Sequence, residues 1–180
     1  KEQVKPHFLF NSLSTLIGLI DEDKERAKKF VEELAFVYRY LLQSSEKPLI
    51  PLSEELAFIK AYYFLLKTRF DERLLLDIYV GNEIAQQMIP PLTLQILLEN
   101  AVKHNIISQE TPLHIVISEV NSNKVVISNT LQRRAQSVVS TQTGLANLAA
   151  KYQLMQQPGP EIFETQDKFS VQITLLPNQA

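Results

Sequence analysis

Residues 90–104 read PPLTLQILLENAVKH, and the fold of the chain turns on them. The double proline stops whatever precedes it, and good helix formers follow without interruption, so the spacing predicts a helix beginning near Pro91 or Leu92. At about 100° per residue, Glu99, Asn100, Lys103 and His104 fall within a sector of roughly 140°, while Leu94, Leu97, Leu98 and Ala101 cover most of the remainder. An apolar helix with one concentrated polar patch either lies on a core with a wet edge or lines a pocket. Spacing alone leaves both open.

The rest of the composition narrows the class. The chain has 180 residues and is 45% hydrophobic, enough for one large domain or two modest ones with a real core. A net charge of −2 gives no broad basic field, so no nucleic-acid partner is expected. No apolar run approaches the roughly eighteen residues of a membrane span, and the amino end lacks a signal-peptide pattern, so these residues read as soluble. The absence of cysteine excludes a disulfide framework and a thiolate zinc site, and fits a reducing compartment. Lys1 is not preceded by a methionine and leads straight into a strongly patterned segment, as expected of a piece of a longer protein.

Residues 1–20 read KEQVKPHFLFNSLSTLIGLI. Leu9, Leu13, Leu16 and Ile20 repeat at +4, +3, +4 and predict one packed helical stripe. His7, Asn11, Ser14 and Gly18 fall on the other side, with Phe8 and Phe10 on the shoulders of His7. A neutral imidazole, with an ordinary pKa of about 6.5, is nucleophilic at physiological pH, and exposed aromatics beside it mark a docking surface. A second helix is expected over 24–42, capped by Asp21 or Asp23, with Ala27, Phe30, Val31, Leu34, Val37 or Tyr38, and Leu41 buried. SSEKPLIP at 44–51 reads as a connection. Ser53 is the expected cap of a third helix, with Glu54 and Glu55 in its first turn and a stripe of Leu52, Leu56, Ile59, Tyr63, Leu66 and Phe70. Three consecutive helices in this spacing predict bundle-like packing, with a homodimer burying the seams left open.

After Phe70 the period changes from 3.6 to 2. Leu74, Leu76, Ile78 and Val80 alternate, and Gly81-Asn82 reads as a turn. Strands at 114–118 and 124–127 flank the turn chemistry of Asn121-Ser122-Asn123, and a last strand through Phe169, Val171, Ile173 and Leu175 has a partner at 161–165. With one helix after Pro91 and one after Gly144, the expected class is α+β: a helical region over 1–70, then an α/β sandwich over 71–180 with one sheet face covered. His114 reads as a plain strand-surface residue.

These residues carry a resemblance. QVKPHFLFNSL at 3–13 resembles the Q-x-N-P-H-F-L-F-N phosphoacceptor box of the LytS/YehU-type sensor histidine kinases, with Lys5 where the family usually has asparagine. PLSEELAFIKAYYFLLKTRF at 51–70 is similar to the family's next helix, and IPPLTLQILLENAVKHNI at 89–106 to its N box. The E-N-x-x-K-H element alone is shared with gyrase-like, Hsp90-like and MutL-like ATPases, but the first box is specific and the order is the family's. The resemblance implies the cytoplasmic kinase core of a membrane-anchored protein: a dimeric phosphoacceptor region followed by a Bergerat-type (GHKL) ATP-binding sandwich. It also implies that a phosphohistidine passes its phosphoryl group to a receiver-domain aspartate of a response regulator. By that resemblance His7 is the phosphoacceptor, Glu99 the acid that polarises it, and Asn100 the ligand of Mg2+ brought with ATP. Lys103 and His104 lie one turn on, where donors meet phosphate oxygens.

The sequence also departs from the family. Where a D-x-G-x-G adenine box is usual, Ser128-Asn129-Thr130-Leu131 follows the strand, and Asn129 stands for the aspartate that meets the adenine amino group. An amide oxygen accepts that bond without charge assistance, a loss of about 1 kcal/mol. The G-x-G-L-x-N pattern is Gln142-Thr143-Gly144-Leu145-Ala146-Asn147, with one glycine missing. Thr143, Gly144, Leu145 and Asn147 are the expected nucleotide contacts there, at a helix start whose N–H groups suit phosphate, beside the hydroxyls of Ser140 and Thr141. Residues 132–142 read as the lid over ATP, with Arg133 and Arg134 either phosphate contacts or a solvated charge pair, the second being favoured. Two functions remain open: an active histidine kinase, and a degenerate signalling and dimerisation module with weak or no ATP binding.

Overall fold

The computed structural model describes residues 6–44, 47–133 and 143–178. Helix α1 spans Pro6–Glu22 and α2 spans Lys24–Ser44. Asp23 caps α2, its side chain accepting the Arg26 N–H at 3.0 Å, as the sequence predicted. Ala27, Phe30, Leu34 and Val37 of α2 are buried, whereas Val31, expected in the stripe, stays on the surface. On α1 the packed side is rotated from the expected one. Ser12 and Leu19 are buried and Phe8 and Leu16 pack against the core, while Leu13 and Ile20 are exposed together with Phe10 and Ile17. The cause is aromatic. Phe8 lies 5.2 Å from the Tyr62 ring and 6.2 Å from Tyr38, and these contacts set the rotation of a helix that is apolar on more than one side.

Strand β1 (Ile50–Pro51) leads directly into α3 (Leu52–Phe70). Ser53 does not cap this helix. Pro51 occupies the cap position with no side-chain bond, because the Leu52 N–H is already taken by the Gln87 carbonyl at 2.8 Å and the helix begins one residue early. α2 packs against one side of α3, so Phe58, Ala61, Tyr62 and Leu65 are buried as well as Leu52, Leu56 and Ile59.

The sheet begins with β2 (Leu74–Tyr79). The expected turn at Gly81-Asn82 is instead a short helix, α4 (Asn82–Ala85), and it is followed by β3 (Met88–Ile89). Helix α5 spans Thr93–His104, β4 Leu113–Asn121, β5 Lys124–Thr130, α6 Thr143–Leu154, β6 Glu161–Glu164 and β7 Lys168–Thr174. The five-stranded sheet has the order β2-β4-β5-β7-β6, with β2 parallel to β4 and every other pair antiparallel. Leu113, Ile115 and Ile117 of β4, Val125 and Ile127 of β5, and Val171 and Ile173 of β7 share one face and form a single core with Leu94, Leu98, Leu148 and Tyr152 of α5 and α6. The α+β class and the one-sided sandwich follow the sequence reading.

The helices and the sandwich meet through two joints. Strand β1 pairs with β3, which also bridges to Leu176 near the carboxyl end. The second joint is Glu55, read from sequence as a first-turn acid of its own helix and found fully buried. Its carboxylate accepts the Tyr40 hydroxyl, the Leu92 N–H at 2.7 Å and the Leu94 N–H at 2.8 Å. The macrodipole it complements is therefore that of α5. Leu92 sits at φ 67°, a left-handed conformation that costs a non-glycine residue about 1–2 kcal/mol, and the Glu55 bond holds it there.

Candidate functional site

The apolar side of α5 is buried as predicted, which turns Glu99, Asn100, Lys103 and His104 away from the core. Glu99 and Asn100 are half-buried, Lys103 is exposed, and His104 is half-buried in the last turn. Glu99 Oε1 accepts two hydrogen bonds, from the Tyr62 hydroxyl at 3.0 Å and from Gln95 Nε2 at 3.0 Å. Burial first, and the neighbouring Glu99 charge second, push the Tyr62 phenol above its ordinary pKa, so it stays protonated and donates. Phe8 stacks on the same Tyr62 ring at an interplanar angle of 29°. The residue after His7 therefore stacks on the ring of the tyrosine whose hydroxyl bonds the acid on α5. Tyr38, beside Phe8, has a buried hydroxyl that lacks a hydrogen-bond partner among the described residues.

His7 stands in the first turn of α1. Its side chain and that of Thr143 lie outside the described residues, as do Arg134, Ser140, Thr141 and Gln142 of the expected lid.

Asn129 is buried near the end of β5, on the face that α5 packs against, in register with Ile115 on one side and Phe169 on the other. Its Nδ2 donates to the Thr130 carbonyl at 2.7 Å. Gly144 comes against α5 so closely that a Cβ there would sit 3.0 Å from Ile96 Cγ2. Ile96 lies one turn before Asn100 on the same helix face, so the start of α6 and the polar patch of α5 are neighbours. Leu145 packs against the core and Asn147 is exposed.

Sequence reasoning missed Asn105. It is buried, its Nδ2 donates to the Ala101 carbonyl at 2.8 Å, and its Oδ1 accepts the Gln132 N–H at 2.6 Å. With the Ile106 N–H bonded to the Gln132 carbonyl at 2.8 Å, it ties the end of α5 to the chain leaving β5. The only signal was its place just after the last apolar turn, where asparagine commonly ends a helix. Arg133 is exposed and ion-paired with Glu164, and His114, on the strand surface as expected, is bonded through Nε2 to Asp77 Oδ2 at 2.7 Å.

Among the described residues no group of three or more His, Asp or Glu side chains is placed to hold a metal ion.

A family model described as histidine kinase matches residues 1–74. Sensor protein LytS of Bacillus cereus is 38% identical over 102 residues, 57% of this chain and 17% of that protein. Sensor histidine kinase/phosphatase LytS of Staphylococcus aureus is 32% identical over 136 residues, 76% of this chain and 23% of that protein. The chain belongs to the sensor histidine kinase family. It spans about a fifth of the length of the curated relatives it matches. Among solved structures, the cytoplasmic segment of histidine kinase QseC covers 86% of this chain at 15% identity and a TM-score of 0.48, with 95% of that segment covered. A histidine kinase from Burkholderia phymatum covers 97% at 11% identity and a TM-score of 0.48, with 100% of its own chain covered. No helix among the described residues is long and apolar enough to cross a membrane.

Proposed function

We propose that this chain is the kinase core of a two-component sensor, in which ATP with Mg2+ phosphorylates His7 and the phosphoryl group then passes to an aspartate of a response regulator's receiver domain. Residues 1–70 serve as phosphoacceptor and dimerisation region and 71–180 as the ATP-binding sandwich. The protein works as a homodimer on the cytoplasmic side of a membrane, anchored through segments outside this chain. The observation that carries this reading is the tyrosine shared by Phe8, next to His7, and Glu99.

In the transfer, a ring nitrogen of His7 gives its lone pair to the γ-phosphorus. The nitrogen–phosphorus bond forms as the bond to the β–γ bridging oxygen breaks, and ADP leaves with that electron pair. The proton on the second ring nitrogen is drawn toward the Glu99 carboxylate, which raises the nucleophilicity of the first. Magnesium, when bound, neutralises charge on the phosphates, and Asn100 is the residue that would hold it. Lys103 and His104 supply donors to phosphate oxygens. Asn129 offers its amide oxygen to the adenine amino group, and Thr143, Gly144, Leu145 and Asn147 form the phosphate-side wall at the α6 start.

Incubation with γ-labelled ATP and magnesium tests the reading. Acid-labile, base-stable label that disappears in His7→Gln is the expected result, and an unlabelled wild-type protein overturns it.

A second reading, a signalling and dimerisation module that binds ATP weakly or not at all, is favoured by one observation: Gly144 is used for close helix packing. Absence of nucleotide binding at millimolar ATP would select it.

A further inference from the structure

Glu99 projects from α5, a helix whose side chains reach the surface at that point, and a half-buried carboxylate on a helix ordinarily samples several rotamers. Here one oxygen is held from two sides: by Gln95 one turn back on the same helix, and by the Tyr62 hydroxyl from α3. The Tyr62 donor is itself fixed. Its ring is buried at 4% exposure and stacks with Phe58, centroid to centroid 5.7 Å, and with Phe8, at 5.2 Å. These ring contacts restrict the side chain whose hydroxyl meets Glu99.

We infer that Tyr62 is a positioning residue for the phosphoryl transfer, its hydroxyl orienting the Glu99 carboxylate while its ring seats the helix that carries His7. This inference rests on the proposed kinase function and adds a residue to it. The ring and the hydroxyl of one side chain serve the two groups that must meet. Seating of α1 through Phe8 and orientation of the acid are then fixed by a common support, which gives the alignment that transfer to an imidazole depends on. The hydroxyl touches neither nucleotide nor the accepting ring in this reading, so it acts only through Glu99.

The test is autophosphorylation kinetics of Tyr62→Phe, Glu99→Gln and the double variant in the dimeric protein, with γ-labelled ATP as the probe. Tyr62→Phe keeps the ring and both stacks and removes one oxygen. The expected result is a fall in kcat of about tenfold with KM for ATP unchanged. A merely structural tyrosine would leave kcat of the folded protein at the wild-type value, and a nucleotide contact would move KM. Since Tyr62 acts through Glu99, the double variant should lose no more than Glu99→Gln alone. Wild-type kcat in Tyr62→Phe, or losses that multiply in the double variant, overturns the inference while leaving the kinase function standing. A wild-type protein that takes up no label removes the kinase function itself, and the inference with it.

Discussion

Glu55 on α3 accepts the backbone N–H of Leu92 at 2.7 Å, so a carboxylate from the helical layer caps the helix that carries the polar patch of the sandwich. Replacing it leaves the amides of Leu92 and Leu94 and the Tyr40 hydroxyl without their acceptor in a site closed to water. Glu55→Ala should lower unfolding free energy by about 3 kcal/mol or more, read from the urea midpoint at constant slope. A change below about 0.5 kcal/mol would mean that water takes over these donors.

The same group gives a dependence on pH. Burial raises the Glu55 carboxyl above the usual carboxylate range and outweighs the donated hydrogen bonds, which act in the opposite sense. With the folded value above the unfolded one, its stabilising contribution is complete below the ordinary carboxylate pKa of about 4.3 and is lost as pH rises through the folded value. Urea titrations from acid to neutral pH should show a downward component in the wild type that is missing in Glu55→Gln. Superimposable curves would contradict the assignment.

Asn100 sits half-buried on α5 outside the apolar stripe, so Asn100→Ala removes no core group. The variant should keep its unfolding midpoint within about 0.5 kcal/mol of stability. Autophosphorylation should fall at least a hundredfold, on the order of what loss of a metal-positioning group costs a phosphoryl transfer. Labelling at the wild-type rate would remove this residue from the site.

On α1, Phe10, Leu13, Ile17 and Ile20 are exposed and recur at +3, +4, +3, a seam suited to a second helix. Ile17→Asp should shift sedimentation from dimer toward monomer with helical content unchanged, since the side chain is exposed in the protomer. An unchanged profile would place the dimer contact elsewhere.

The sheet and the helix order were legible because their signals are local. The alternation through Leu113, Ile115 and Ile117 and the turn residues at 121–123 needed no knowledge of the remainder of the chain. The polar patch of α5 was legible for the same reason. What escaped was set by partners far along the sequence. Glu55 has the spacing of a surface acid and is buried only because Leu92 and Leu94 present bare amides to it. The facing of α1 was decided by Tyr38 and Tyr62, which periodicity within α1 cannot see. Tyr62 lay outside the stripe read for α3, which ran through Tyr63, because its burial depends on α2 and on Phe8 rather than on spacing within α3.

The cap supplied by Glu55 has a mechanical consequence. Because one side chain of α3 bonds the first turn of α5 directly, with no linker between, the two helices share an anchor, and neither can slide along its axis without breaking that cap.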